Sequence, residues 1–156
     1  MSFDARILRN ALGQFATGVT VVTAHDGGEV HGMTANSFTS VSLDPPLVLV
    51  CVDRRNRTHE LLPRAGRFAV NVLSEEQEAV SRHFAGKRVD PPPFRLDLSA
   101  AAKSPILAGV LAWFDCALWQ TYDGGDHSIF VGRVEAFEAR GGRPLLFFQG
   151  AYGRLP

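Results

Sequence analysis

Two long β-type stretches follow one another in the second half of the chain with almost nothing between them. "VLAWFDCALWQTY" (110–122) and "SIFVGRVEAFEA" (128–139) are joined only by "DGGDH", which has hairpin-turn chemistry. A connection that short returns the chain antiparallel to itself; a parallel neighbour would need a crossover of a dozen residues or more. "RGGRP" makes another turn, and "LLFFQGAY" (145–152) reads as a last strand. A doubly wound parallel fold needs strands and helices to alternate throughout, and this half of the chain does not supply them.

The first half adds strands and helices. "FDARILRNALGQFA" (3–16) places Phe3, Ile7, Leu8, Leu12 and Phe15 on one helical stripe, with Gly18 as a stop signal. "VTVVTA" (19–24) is rich in β-branched residues, and the turn chemistry of "HDGGEV" predicts a hairpin to a second strand near 29–34. "LVLVCV" (47–52) is apolar without alternation, which predicts a central strand buried on both faces. Thr58 is placed to cap a short helix over "HELLPRA", and "RFAVNVL" (67–73) is a further strand. In "SEEQEAVSRHFAG", Ser74 and Gln77 fit a capping box and Gly86 fits the C-terminal stop. Residues 87–105, with "DPPPF", form a long Pro-rich loop of a length that is often functional. The expectation is one mainly β domain over 1–156, with six or seven antiparallel strands, two or three inserted helices and closure into a barrel that removes the sheet edges.

Composition and motifs narrow the function. The net charge of +0 gives no basic surface for nucleic acid or an anionic membrane, so neither is an expected partner. Cys51 and Cys116 lie far apart in apolar runs and read as buried thiols rather than a disulfide or zinc site. No signal-peptide layout and no apolar run near the ~18 residues of a membrane span is present, which makes the cytoplasm the expected location. G-x-G-x-x-G, P-loop, H-E-x-x-H and G-x-S-x-G patterns are all absent, so no motif points to a Rossmann or P-loop nucleotide site, a metal site or a serine hydrolase.

One stretch does ask for a ligand. "GMTANSFTSVSLDPP" (32–46) crowds Thr34, Asn36, Ser37, Thr39, Ser40 and Ser42 beside an apolar run, with no charge until Asp44. Neutral hydroxyls and an amide suit a ligand with many hydrogen-bonding edges and an uncharged head. A flavin isoalloxazine is such a ligand, and neutral groups tune its potential gently. A polar loop or edge strand facing solvent accounts for the same composition.

"ATGVTVVTA", "GMTANSFTSVSLDPPLVLVCV", "GRFAVNVLSEEQEAVSRHFAG" and "GGDHSIFVGRV" resemble the flavin reductase family, from about residue 8 to about residue 153. The resemblance implies an antiparallel Greek-key split β-barrel of the FMN-binding type, usually a homodimer. It implies reduction of FAD or FMN by NADH or NADPH for a separate flavin monooxygenase. The absence of an assigned basic pocket for a 2′-phosphate favours NADH. By position in the family motif, Thr34, Ala35, Asn36 and Ser37, with Ser42 a weaker member, lie along the isoalloxazine edge. Cys51, Val52, Asp53, Asn56, Arg57 and Thr58 match the ribityl and phosphate region. "DRRNR" (53–57) then becomes a phosphate pocket, for which a guanidinium and a hydroxyl at a helix N-terminus are suited; a solvated charged turn is the other reading. His83 and Phe84 match an end-of-helix segment that reaches the flavin, or else anchor the core and cap the helix. His127 matches a nicotinamide contact that positions the nucleotide, and Tyr152 a residue near the nicotinamide face; a hairpin end and core packing are their alternatives. No nucleophile or strong base is required, because a hydride carries both electrons. A pyridoxamine-phosphate-oxidase-like enzyme and a non-catalytic flavin carrier or sensor are the competing functions.

Overall fold

The structure is a computed structural model that describes residues 2–156. Helix α1 (Ala5–Leu12) leads into strands β1 (Thr17–Gly18), β2 (Thr20–Asp26), β3 (Glu29–Ala35), β4 (Phe38–Leu43) and β5 (Pro46–Asp53). Helix α2 (Arg57–Ala65), strand β6 (Arg67–Val72) and helix α3 (Glu78–Phe84) follow. Strands β7 (Ala112–Gly124), β8 (His127–Ala139), β9 (Leu146–Phe148) and β10 (Ala151–Gly153) complete the chain.

All the pairings are antiparallel, as the short turns predict. Seven strands form one sheet in the order β3-β2-β6-β7-β8-β5-β4, and β1, β9 and β10 form a small second sheet. The long hairpin closes with Gly124 opposite His127, so only Gly125 and Asp126 form its turn, and Gly125 takes the positive φ of 78° that this turn requires. The two edges of the large sheet, β3 and β4, are joined by Asn36 and Ser37 alone. The sheet therefore curls until its edges nearly meet at that corner, while no ladder joins them.

Apolar residues fill two cores. Val22, Val50, Val52, Phe68, Val70 and Phe130 pack with Leu61 and Leu62 of α2 in the first. Val21, Ala69, Val80, Phe84, Leu107 and Trp113 pack in the second, between the sheet, α3 and the loop that follows it. Successive residues of β6 serve the two cores in turn, so β6 is buried on both faces. The sequence predicts that role for residues 47–52. There β5 alternates instead, with Val48, Val50 and Val52 buried and Leu47, Leu49 and Cys51 half-buried.

The helices depart from expectation at their ends. Asn56, not Thr58, caps α2: its side chain accepts from the Thr58 backbone N–H, and Gly66 at φ 71° closes the other end. The Gln77 side chain accepts from the Ser74 N–H at 2.9 Å, which is the returning half of a capping box, yet α3 itself begins at Glu78. Helix α1 is shorter than 3–16 and ends on Gly13, so Gly18 falls in β1. Its apolar stripe faces out, with Ile7 at 64% and Leu12 at 67% exposure, and Phe3 and Phe15, which flank the helix, are exposed as well. The run 145–152 is a hairpin of β9 and β10 rather than one strand, turned by Gln149 and Gly150 at φ 51° and 75°. No helix among the described residues is long and apolar enough to cross a membrane.

Candidate functional site

The corner between β3 and β4 opens onto a cleft of about 570 Å³, a size suited to a ligand of cofactor dimensions. Thr34, Ala35, Asn36 and Ser37 form one wall, with Cys51 and Asp53 at the end of β5 and Asn56 and Arg57 at the start of α2. His83, Phe84, Gly86 and Arg88 line it from the α3 side, and His127 enters from the β7–β8 turn. His127 arrives there because β8 pairs with β5 in a register that sets it opposite Asp53.

Local bonds hold the wall. Thr34 Oγ1 donates to the Ser81 carbonyl at 2.6 Å, tying β3 to α3. Ser37 Oγ donates to the Cys51 carbonyl and accepts from the Cys51 N–H, both at 3.1 Å. Gly32 lets α3 come close: a Cβ there would lie 2.6 Å from the Phe84 ring. Burial pushes the Cys51 thiol pKa up, partly offset by Ser37, so this half-buried cysteine is a neutral member of the wall. The expectation of two buried thiols thus holds for one of them: Cys116 is fully buried, and Cys51 is half-buried and faces the cleft.

The other end of the cleft is cationic. β3 rises about 3.3 Å per residue, which puts His31 roughly 16 Å from Asn36. His31 Nε2 and Thr58 Oγ1 are 2.7 Å apart. Burial depresses the His31 pKa, and the guanidinium groups of Arg57 and Arg88 depress it further, with only Asp26 opposing them. His83 is lowered too, first by burial and then by Arg88. Two guanidinium groups therefore act on one imidazole at the end of a cleft, a field that favours a bound anion.

Several expected residues lie elsewhere. Ser42 is on β4, outside the cleft lining, and the side chain of Val52 is in the first core. Thr58 is fully buried behind His31, so it touches the cleft through that imidazole. Tyr152 lines a smaller neighbouring cavity of about 200 Å³ with Thr34, Ala35 and Asn36. Its hydroxyl is 2.6 Å from Ser81 Oγ, and Arg82 lies 4.9 Å over its ring. The "DRRNR" cluster is divided. Arg57 faces the cleft while ion-paired to Asp26; Arg55 returns to Asp53, whose carboxyl it holds well below the usual range; Arg54 turns away to the β7–β8 turn. Sequence reasoning misses His31 and Arg88: His31 is a lone histidine in a strand and Arg88 half of a Lys-Arg pair after α3, and only folding brings them beside Arg57.

A family model described as "Flavin reductase like domain" matches residues 12–156. The chain is 51% identical over 154 residues to a "Probable flavin reductase" of Rhizobium meliloti (strain 1021), across 96% of this chain and 49% of that relative. This chain thus spans about half the relative's length. It is 44% identical over 154 residues to the "Flavin-dependent monooxygenase, reductase subunit HsaB" of Rhodococcus jostii (strain RHA1), across 97% of this chain and 78% of that one. Among solved structures, the Streptomyces globisporus C-1027 NADH:FAD oxidoreductase SgcE6, in complex with NAD and FAD fragments, is similar at a TM-score of 0.87 and 43% identity. That match covers 98% of this chain and 93% of the other.

Proposed function

This chain belongs to the flavin reductase like family, and we propose that it transfers a hydride from NADH to FAD or FMN, supplying reduced flavin to a separate flavin-dependent oxygenase. The observation that carries the proposal is one cleft that joins a neutral hydrogen-bonding wall, Thr34 to Ser37, to a cationic end at Arg57 and Arg88. A flavin nucleotide has the matching pair of ends, an uncharged ring rich in donors and acceptors and a phosphate.

When bound, the flavin supplies the hydride acceptor and the nicotinamide the donor. The chain's own residues bind and orient. Asn36 and Ser37 lie outside every strand ladder, which leaves their backbone groups to meet the ring edge. Arg57 and Arg88 meet the phosphate, with His31 behind them. His127, half-exposed at the cleft, positions the nicotinamide nucleotide; its Nδ1 lies 2.7 Å from Asp126 Oδ1. No general base is required for this chemistry, and alignment of the two partners is the contribution asked of the protein.

Three further readings go with the proposal. Edges joined by only Asn36 and Ser37 support a split β-barrel. The outward stripe of α1, together with Leu43 at 95% and Phe137 at 68% exposure, supports a homodimer that covers apolar surface. Two free cysteines suit the reducing cytoplasm. The oxygenase partner is supported by the relative named as a monooxygenase reductase subunit.

Anaerobic mixing of NADH with the flavin-loaded protein tests the function. Loss of the oxidised flavin's visible absorption is expected. Persistence of that absorption with both NADH and NADPH would leave a flavin carrier or sensor and remove the reductase.

A further inference from the structure

The His127 turn overhangs the sheet. β5 ends at Asp53, opposite His127, so the two turn residues, Gly125 and Asp126, project beyond the end of β5. A two-residue hairpin tip without a neighbour is among the looser parts of a sheet. Here Arg54 reaches it three times. Its backbone N–H donates to the Asp126 carbonyl at 3.0 Å, its Nε to the Gly125 carbonyl at 2.8 Å, and its Nη2 to Asp123 Oδ1 at 2.6 Å. Asp123 also accepts from the Gly125 N–H at 3.2 Å, so the same carboxylate braces the turn from inside. The Arg54 fork holds the Asp123 carboxyl below its usual range.

Arg54 also sits in the loop that carries Asn56 and Arg57 into the cleft. Asn56 N–H donates to the Asp53 carbonyl at 3.0 Å, and the Asn56 side chain caps α2. The loop is therefore a short hydrogen-bonded link between the cationic end of the cleft and the turn that bears His127. We propose that Arg54 is a positioning residue that fixes the His127 turn against this loop and so couples flavin-phosphate binding to nicotinamide-nucleotide binding. The proposal rests on the flavin reductase reading. Its logic is linkage: a flavin phosphate that orders residues 53–57 orders the turn through Arg54, and a nucleotide bound at His127 must then tighten flavin binding by the same factor.

The Arg54–Asp123 pair is exposed, at 45% and 82% of the two side chains. Exposed pairs contribute little to stability, so Arg54→Ala is expected to fold as the parent does. The test measures the flavin dissociation constant by fluorescence with and without saturating NAD⁺, in the parent, Arg54→Ala, Arg54→Lys and Asp123→Asn. In the parent, NAD⁺ tightens flavin about fivefold or more, the lower end of ordinary coupling. In Arg54→Ala the flavin constant without NAD⁺ stays within about twofold of the parent and the tightening disappears, while the KM for NADH rises about tenfold. Arg54→Lys behaves like the alanine variant, because an ammonium cannot hold the carbonyl and the carboxylate in one plane. Asp123→Asn loses part of the coupling.

Equal tightening by NAD⁺ in parent and Arg54→Ala overturns the proposal. So does full rescue by lysine, which would reduce the role to charge. A flavin constant weakened equally with and without NAD⁺ would make Arg54 a flavin ligand instead. Failure of the parent to be reduced by NADH strikes the reductase reading itself and is seen before any variant is made.

Discussion

Gly32→Ala tests how the cleft wall is built. A Cβ at residue 32 would lie 2.6 Å from both Cδ1 and Cε1 of Phe84. Carbon atoms in contact prefer about 3.5–4.0 Å, so the ring or the strand must retreat by about 1 Å. The ring has little room to do so. Phe84 is only 9% exposed, with the Phe94 ring centroid 4.9 Å away and that of His83 5.0 Å away. β3 is held in turn by the bond from Thr34 to the Ser81 carbonyl. Overpacking of this kind costs about 1–3 kcal/mol. If the end of α3 moves outward to relieve the clash, a flavin that needs Phe84 and Arg88 in place must restore it. The same free energy then appears as an affinity loss of about 5- to 150-fold. Urea unfolding reads the first quantity and flavin fluorescence quenching the second. A variant with the parent's urea midpoint and flavin affinity would refute the close packing of α3 on Gly32. A loss of stability with unchanged affinity would separate α3 from the flavin wall.

Arg57→Ala is expected to weaken FMN and FAD by about tenfold while leaving riboflavin within about twofold, since only the phosphorylated flavins can use a guanidinium; equal loss for all three in a binding titration removes Arg57 from the phosphate end. A small thiol reagent should label Cys51 and be slowed by bound flavin, whereas Cys116, whose thiol burial pushes up to about 12, should react only on unfolding. Peptide mass spectrometry of the native protein checks this, and early labelling of Cys116 would contradict it. His31 and His83 both titrate below the ordinary imidazole value in the fold, chiefly through burial. The unfolded chain therefore binds protons that the folded chain refuses, and their contribution to stability is lost as pH falls below about 6.5. Urea midpoints across that range should fall, less so in His31→Asn; an identical slope in that variant would remove His31 from the effect.

Much of this architecture was legible in short-range patterns. "HDGGEV" and "DGGDH" mark hairpins because glycine supplies the turn without steric cost, and both form two-residue turns. Burial was harder to read. Asn71 makes "RFAVNVL" look half-exposed, yet it is fully buried: Nδ2 donates to the Val21 carbonyl and Thr23 Oγ1, and Oδ1 accepts from the Leu107 N–H. A polar residue satisfied by distant partners carries no local mark of its burial. The stripe Phe3, Ile7, Leu8, Leu12 and Phe15 shows the opposite failure. A helical hydrophobic period says that a face favours cover and does not say what supplies it. Among three arginines of "DRRNR", only the path of the loop decides that Arg57 turns to the cleft and Arg54 to the hairpin.

Two of the small hydroxyls at 34–42, those of Thr34 and Ser37, have a physical reason that composition alone could not give. At the corner the chain leaves one edge of the sheet and joins the other within Asn36 and Ser37, so neither residue has a ladder partner. The main chain of Cys51, just past the Phe38–Val50 pair, would then lack a neighbour on that side. Ser37 supplies one: its hydroxyl donates to the Cys51 carbonyl and accepts from the Cys51 N–H. A single hydroxyl can do both, which an amide N–H or a carbonyl alone cannot. Thr34 does half as much for the last turn of α3 by donating to the Ser81 carbonyl. Side chains thus take over bonds that a strand's backbone would otherwise make, and the backbone at the corner is freed to face the cleft. An edge that would otherwise invite pairing with another chain becomes a surface of donors and acceptors of ligand size. In that sense the same residues that let the sheet turn its corner also make the wall that a flat, uncharged, hydrogen-bonding ring can occupy.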